Sequence, residues 1–448
     1  MSQSSTPSSS AKAAAVKDRS ALISSSSRRR FLRGVGAAGI AGLAGCTGGD
    51  GGSKAGKSGG GMEISYWTLL TGGDGEIMVK LIKRFNDEQP LGDVTISRQR
   101  VPWDEYYNRL FTAMTSNEAP NLAICHGAYL RRFSDLVVPI GDLMSNTNYV
   151  KQILDACTID DEIRAVPMDS HPVGLYYNED ILKEAGVTNT PFDDFSQFEE
   201  ACNKIRDETD YTPFGPSPNT GVEHRQYLTS IASLGGKLVE TGGDGPKAVF
   251  DQGPGLEAAE YYASVSGERK WDIPDTSEDR VNREFLAGNI GFMVHGTWTV
   301  NRLRDVDFNW NMMKPYVTPN ATQLRTAADS HTLILPDPKM SDERIKTTVK
   351  VAEWLTQNNP EWGAEAGHLP AYIPTLESDD LRNAEIWDVT LKDFMEMAQN
   401  GQLAYYPQLE NFDIYDQTNW TWLLDAYAHN VSPKEAVSNG VQTWNSNL

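Results

Sequence analysis

A cluster of polar side chains, Asp169-Ser170-His171, stands directly before a strong strand pattern. Carboxylate, hydroxyl and imidazole groups can all hydrogen-bond a polar ligand, and Pro172 favours an extended approach to the strand. Residues 173–178 alternate with a period of two, as in a strand, and Asn178 can cap a helix that starts at Glu179. The cluster therefore either faces a cleft beside this strand or forms an ordinary turn, and the residue types alone leave both readings open.

The segments before this cluster alternate between strand and helix patterns. Strands are predicted at Glu63–Trp67, Val94–Gln99 and Leu122–Cys125, with helices from Glu76 to Asn86 and around Trp103–Met114. This order predicts a parallel α/β sheet, in which ligands bind beyond the carboxyl ends of the strands. Trp67, the glycine-rich loop with Asp74, and His126 then become candidate site residues. The loop lacks the lysine of a phosphate-binding motif, and its glycines can equally form a plain tight turn.

The first 61 residues are typical of targeting and tethering. A serine-rich start leads to Arg28-Arg29-Arg30-Phe31-Leu32, and a short apolar run ends in Leu43-Ala44-Gly45-Cys46. Twin arginines before an apolar run predict a Tat export signal over 1–45, and small residues before a cysteine predict lipidation of Cys46. A plain cleavage site with an incidental cysteine is the alternative. Residues 46–61 predict a flexible tether, so we expect a protein anchored to the outer face of the cytoplasmic membrane.

Charge and cysteine content exclude several classes of partner. The formal net charge is −21, so the chain is a poor candidate for binding nucleic acid, and the even spread of acids suits a very salty habitat. Besides Cys46 there are Cys125, Cys157 and Cys202, without the spacing of a zinc site or a disulfide framework. They form at most one disulfide, or act as small buried apolar residues. No metal and no cofactor is predicted.

Four segments, taken in order, resemble motifs of one family. They are VPMDSHPVGLYYNEDI at 166–181, EFLAGNIGFMVHGTW at 284–298, AADSHTLIL at 327–335 and GHLPAYIP at 367–374. Together they resemble the family 1 extracellular solute-binding proteins, the maltose-binding-protein-like receptors of sugar ABC importers. The resemblance implies a two-lobed α/β fold of the periplasmic-binding-protein type, each lobe a sheet flanked by helices, with three crossings between lobes. It places the first lobe at 62–171 plus 331–372 and the second at 172–330 plus 373–448.

The resemblance also implies a ligand site between the lobes. Aromatic rings there would stack on the C–H face of a sugar, and polar groups would bind its hydroxyls. Trp298 is a candidate for stacking, although it can also be a core residue, and His171 stands where the family has a polar or acidic contact. The candidate ligand-binding residues are Trp67, Asp74, His126, Asp169, His171, His295, Trp298, His331 and Tyr372.

The function implied is that of a receptor, not an enzyme. A monomer would bind a carbohydrate and deliver it to the permease subunits of an ABC importer, using lobe closure and no covalent chemistry. Three alternatives stay open: a secreted glycoside hydrolase with paired carboxylates, a sensor that docks to a signalling partner, and the same fold binding glycerol-3-phosphate or a related anion. Arg131, Arg132 and Arg225 are the candidate anion contacts.

Overall fold

The computed structural model describes residues 61–216, 222–242, 245–274, 276–412 and 420–448, with only the backbone described at 222–224. Within these ranges, no helix is both long enough and apolar enough to cross a bilayer. The predicted Tat leader, the lipidation site at Cys46 and nearly all of the tether lie outside the described residues, so they stay predictions.

The strands are short and mostly buried. They are β1 (Met62–Thr68), β2 (Val94–Arg100), β3 (Leu122–His126), β4 (Thr158–Ile159), β5 (Glu162–Ile163), β6 (Val166–Pro167), β7 (Asp169–Ser170), β8 (Val173–Asn178), β9 (Thr212–Gly215), β10 (Val239–Gly242), β11 (Gly245–Ala248), β12 (Ile290–Gly296), β13 (Trp310–Met313), β14 (Thr326–Ala328), β15 (His331–Ile334), β16 (Leu369–Pro370) and β17 (Leu403–Tyr405).

Helices lie between and after these strands. They are α1 (Gly72–Glu88), α2 (Trp103–Ser116), α3 (Leu130–Phe133), α4 (Lys151–Ala156), α5 (Glu179–Glu184), α6 (Phe195–Glu208), α7 (Val222–Ser233), α8 (Pro254–Ser266), α9 (Glu278–Leu286), α10 (Val300–Leu303), α11 (Asp342–Gln357), α12 (Pro360–Ala364), α13 (Ile373–Leu376), α14 (Asp379–Arg382), α15 (Lys392–Gln399), α16 (Thr421–Tyr427) and α17 (Pro433–Asn445). Short 3-10 turns flank α3 and precede α10, and a π-helical turn at Trp387–Leu391 leads into α15.

The first sheet has the strand order β2-β1-β3-β15-β6. Strand β1 runs parallel to both β2 and β3, which confirms the parallel α/β arrangement predicted for this part of the chain. Strand β15 returns from much later in the sequence and pairs antiparallel with β3 and β6. The five strands thus come from two distant parts of the chain.

The second sheet has the order β13-β8-β12-β9, with β8 at its centre between β12 and β13. All six residues of β8 are buried, as expected for a central strand with neighbours on both sides. The Asn178 side chain accepts hydrogen bonds from the backbone N–H groups of Asp180 and Ile181, which confirms the predicted cap of α5.

Helix α1 begins four residues before the predicted start at Glu76, and the glycine-rich segment forms its first turn instead of a loop. Thr71 is extended at the N-cap position, and Gly72 adopts φ of 54°, a conformation that glycine accepts without steric cost. Asp74 lies in the first turn, where a carboxylate interacts favourably with the helix dipole. The predicted loop was wrong because paired glycines favour a turn, whereas the acidic residue at this position favours a helix start.

The chain passes between the two sheets near the polar cluster. It leaves the first sheet at β6 and enters the second at β8, and it returns from β13 to β15. The predicted residue limits of the two lobes stay a prediction. Trp271 is fully buried in the core, and Cys125, Cys157 and Cys202 are buried free thiols, which confirms their reading as small apolar residues.

Candidate functional site

Strand pairing gathers histidines that are far apart in sequence. In the antiparallel pair of β3 and β15, His331 stands directly opposite His126. In the pair of β7 and β16, Asp169 stands opposite Pro370 and Ser170 opposite Leu369, so His368 arrives beside His171. The imidazole of His331 lies 4.4 Å from that of His171, measured between ring centres, and 5.4 Å from that of His368.

Asp169 is the centre of this histidine cluster, which we define as His126, His171, His331 and His368. Its carboxylate is fully buried. The imidazole and backbone N–H groups of His331 donate to it at 2.7 and 2.9 Å, and the imidazole of His171 donates at 3.2 Å. The indole N–H of Trp362 also donates to this carboxylate. Both carboxylate oxygens are therefore satisfied by donors from three separate segments.

These contacts set the protonation states. Burial alone would raise the pKa of Asp169, but the charge of His331 and the hydrogen bonds from His171 and His331 hold it well below its usual range. Burial and the neighbouring His331 lower the pKa of His171 to about 3. At neutral pH the site thus combines an ionised carboxylate with a neutral imidazole that keeps a lone pair.

His126 closes one side of the cluster. Its ring lies 4.7 Å from that of His331 and 5.5 Å from that of His171. Its Nδ1 shares a hydrogen bond with the hydroxyl of Tyr107. Burial, followed by electrostatic interaction with the neighbouring His331 and His171, lowers the pKa of His126 well below its usual value.

His368 connects the histidine cluster to α1, which follows β1 of the first sheet, and to Thr297, which follows β12 of the second sheet. Its Nε2 hydrogen-bonds Asp74 of α1 at 3.2 Å, and its Nδ1 lies 2.8 Å from the hydroxyl of Thr297. Asn301 of α10 donates to the other oxygen of Asp74 at 3.4 Å. Burial acts to lower the pKa of His368, but the charge and hydrogen bond of Asp74 raise it above its usual value.

Trp298 forms a second wall, next to His171 at 5.8 Å between ring centres. The guanidinium of Arg225 lies 5.0 Å above the indole ring, and His295 lies 5.4 Å from it. Trp298 keeps part of its surface exposed, whereas His295 is buried. Burial lowers the pKa of His295 to about 4, so this imidazole is neutral near pH 7.

A cavity of about 250 Å³ lies beyond the end of β3. Its lining mixes two aromatic rings with amide and carboxylate side chains: Gly127, Ala128, Gln152, Asp155, Ala156, Tyr405, Tyr406 and Gln408. The Tyr405 hydroxyl hydrogen-bonds the side chains of Ser170 and Ser330 at 3.0 and 3.2 Å, next to the histidine cluster. The Tyr405 ring also lines a neighbouring cavity of about 380 Å³ beside α7.

Seven of the nine predicted site residues are linked through these contacts, namely Asp74, His126, Asp169, His171, His295, Trp298 and His331. The other two lie elsewhere. Trp67 is half-buried against the core and lines a surface groove along α2, because alternation in β1 turns its side chain to the opposite face from Tyr66. Tyr372 packs against Tyr149, 5.3 Å between ring centres, ahead of α13. Whether any of the nine binds ligand stays a prediction.

Two important members of the site are not among the predicted site residues. His368 lies inside the GHLPAYIP segment, but its position in the site depends on the pairing of β16 with β7. Trp362 lies in α12 and has no local polar pattern. The structure also brings together Asp169, His171, His331 and His368 with donor atoms within 4.8 Å of one another, an arrangement that residue spacing did not reveal.

Known proteins resemble this chain over most of its length. Residues 80–392 match the family model of the bacterial extracellular solute-binding proteins. A binding protein of Brucella abortus is 23% identical over 337 residues, covering 72% of this chain and 78% of that protein. The xylose/arabinose-binding protein XacG of Haloferax volcanii is 25% identical over 254 residues, 53% of this chain and 54% of its own length.

A solved structure shows the same fold. The crystal structure of the cyclic α-maltosyl-1,6-maltose binding protein from Arthrobacter globiformis has a TM-score of 0.73 at 19% identity, covering 86% of this chain and 98% of that one. This likeness confirms the two-lobed, maltose-binding-protein-like fold. The family match also confirms the prediction of a binding protein over an enzyme. The chain therefore belongs to the bacterial extracellular solute-binding proteins.

Proposed function

We propose that this protein is an extracytoplasmic receptor that binds a carbohydrate between its lobes and delivers it to an ABC import permease. The observation that carries the proposal is the cavity around Tyr405, whose lining sets aromatic rings beside amide and carboxylate groups. A sugar ring needs both, because its C–H face packs on aromatic surface and its hydroxyls require several hydrogen-bond partners. The named ligands of the Haloferax and Arthrobacter relatives, pentoses and a cyclic maltosaccharide, support the same class.

The position of the cavity suits a receptor that closes around its ligand. Gln152 and Asp155 come from α4, whereas Tyr405 and Gln408 come from the segment at and after β17. Strand β17 pairs with β14, which precedes the return to the first sheet. A ligand that contacts both groups of residues stabilises the arrangement in which they are close together.

The direct test is a thermal-unfolding screen of the full chain at high salt with D-xylose, L-arabinose, maltose, short arabino-oligosaccharides and glycerol-3-phosphate. A ligand of the folded state at 100 times its Kd adds about 2.7 kcal/mol to the free energy of unfolding. We expect one sugar to raise the midpoint and to stay chemically unchanged. Gln408→Ala should weaken its binding at least tenfold, and Gln399→Ala, an exposed glutamine on α15, should not. No response to any sugar, or loss of binding in neither variant, contradicts the proposal.

A second candidate ligand class is an anion such as glycerol-3-phosphate. It is favoured by Arg225, whose buried Nε has no hydrogen-bond partner among the described residues and whose guanidinium lies over Trp298. A guanidinium in this setting can bind a phosphate or carboxylate. A midpoint raised by glycerol-3-phosphate alone, and abolished in Arg225→Gln, would select this ligand over a neutral sugar.

The proposal includes export by the Tat route and a lipid tether at Cys46. Fractionation of cells that express the full chain tests it, because Cys46→Ser should release the protein from the membrane fraction into the medium. Thr47→Ser, next to it in the sequence, should stay with the membrane. Release of both, or of neither, contradicts the lipid tether.

A further inference from the structure

The histidine cluster and Asp169 bring together more potential metal-binding groups than the binding of a neutral sugar requires. One nitrogen from each of His171, His331 and His368 and one oxygen of Asp169 lie within 4.8 Å of one another. The four residues are 5% exposed or less. Three imidazoles with one carboxylate form an N3O donor set, which suits zinc and its transition-metal neighbours, whereas magnesium and calcium prefer oxygen donors.

The distances fit a metal after a small contraction. Zinc binds imidazole nitrogen at about 2.0–2.1 Å, which places tetrahedral ligand atoms about 3.4 Å apart, so the widest pair must close by about 1.4 Å. The Nδ1 atoms of His171 and His331 hydrogen-bond Asp169, so each ring has Nε2 as a further possible ligand atom. His368 would exchange one of its contacts, with Thr297 or with Asp74, for the metal.

Surrounding groups already orient the ligands as they do around known metal centres. Metal-bound imidazoles commonly donate their second N–H to a carboxylate, and ligating carboxylates accept further hydrogen bonds. Here Asp74 accepts from His368, and the indole N–H of Trp362 and the backbone N–H of His331 donate to Asp169. A dication would also neutralise the buried charge of Asp169, which imidazole and indole N–H groups otherwise have to stabilise alone.

We propose that Asp169, His171, His331 and His368 bind one divalent transition-metal ion of the zinc class. The ligands come from three chain segments: the passage from β6 to β8, the return to the first sheet at β15, and the residue before β16. The bound ion would therefore link segments that run between the two sheets. The four ligands do not line the cavity around Tyr405, so the inference goes beyond the carbohydrate proposal and does not depend on it.

The test uses the full chain stripped with a chelator and titrated with Zn²⁺ against a chromophoric chelator, and in parallel with Co²⁺. We expect one Zn²⁺ per chain, and the intense visible absorption bands of four-coordinate Co²⁺. His171→Gln and His368→Gln should each weaken Zn²⁺ binding at least 100-fold and remove the Co²⁺ bands. His429→Gln, which changes an exposed histidine outside the cluster, should change neither.

Two results would overturn the proposal. Weak six-coordinate Co²⁺ bands with the folded wild-type chain overturn the proposal and need no variant to interpret. Equal Zn²⁺ affinity in the cluster variants and in His429→Gln also overturns it, since the metal would then bind elsewhere. Circular dichroism in metal-free buffer establishes that each variant is folded, and if one cluster variant fails to fold, the other carries the comparison.

Discussion

The carboxylate of Asp169 should contribute to stability far more than a surface carboxylate, even without ligand or metal. Asp169→Asn keeps the shape of the side chain but replaces one acceptor oxygen by an N–H donor group. Either His331 Nδ1–H and Trp362 Nε1–H, or His331 N–H and His171 Nδ1–H, then lose their acceptor. The choice depends on which way the amide is oriented, and two buried donors lose their partner in both cases.

The magnitude follows from these two losses. Each buried donor left unsatisfied costs about 1–3 kcal/mol, and the relief from burying a charge offsets part of the sum. A net loss of about 3 kcal/mol is expected. For a domain of this size, about 2 °C of unfolding midpoint corresponds to each kcal/mol, so the midpoint should fall by about 6 °C.

The assay is thermal unfolding of the full chain at neutral pH in the presence of a chelator, so that metal binding does not contribute. The matched control is Asp155→Asn, which removes a carboxylate from an exposed ion pair with Lys151 on α4. Exposed pairs of this kind contribute at most about 1 kcal/mol, so the control should shift the midpoint by 2 °C or less. A midpoint for Asp169→Asn that falls no further than that of the control would refute the central role assigned to this carboxylate.

Three further predictions concern the walls of the site. The buried His295 has a pKa of about 4, against about 6.5 in the unfolded chain. It should therefore contribute about 3 kcal/mol of stability that is present above pH 6.5 and lost as the pH falls toward 4. The unfolding midpoint of His295→Gln should be less sensitive to pH over this window than that of the wild type. Asn301→Asp places a second carboxylate about 3.4 Å from Asp74, and the repulsion should separate α10 from α1. Small-angle scattering should then show a larger radius of gyration, and high salt should reduce this increase. In Gly296→Ala the new methyl group would lie 2.0 to 2.4 Å from the indole of Trp298, so the ring must move. We expect the free energy of unfolding to fall by about 1–3 kcal/mol and sugar binding, measured by calorimetry, to weaken. An unchanged Kd would show that Trp298 does not belong to the ligand site.

Local patterns were sufficient for most of the fold. The strand patterns at β1, β2 and β3 and the apolar stripes of α1 and α2 correctly predicted that these three strands run parallel, because each pattern is complete within one element. The cap at Asn178 was also local. The boundary error at α1 arose where two local signals conflict, glycines that favour a turn and an acid at Asp74 that favours a helix start.

The site was only partly predictable, because its members depend on pairing between distant segments. His126 and His331 could be nominated from strand ends, but their direct opposition depends on antiparallel pairing across more than 200 residues. His368 depends on a two-residue pairing that carries almost no sequence signal. Trp67 lines a different groove from these residues, since neighbouring positions along a strand point to opposite faces of the sheet, and its role in binding stays a prediction.

The cavity around Tyr405 and the proposed metal ligands involve neighbouring residues on the same chain segments. Tyr405 lines the cavity and hydrogen-bonds Ser170 and Ser330, while Asp169 and His331, each adjacent in sequence to one of these serines, are among the proposed metal ligands. A displacement of either segment must therefore move groups in both places, because neighbouring residues in short paired strands cannot shift independently. Sugar titrations with and without Zn²⁺ measure this coupling, and linkage requires the same factor for the effect of sugar on Zn²⁺ affinity. If the wild-type chain binds both ligands but the coupling factor is one, the segments are rigid enough to hold both sites without communication, and closure must arise elsewhere in the chain.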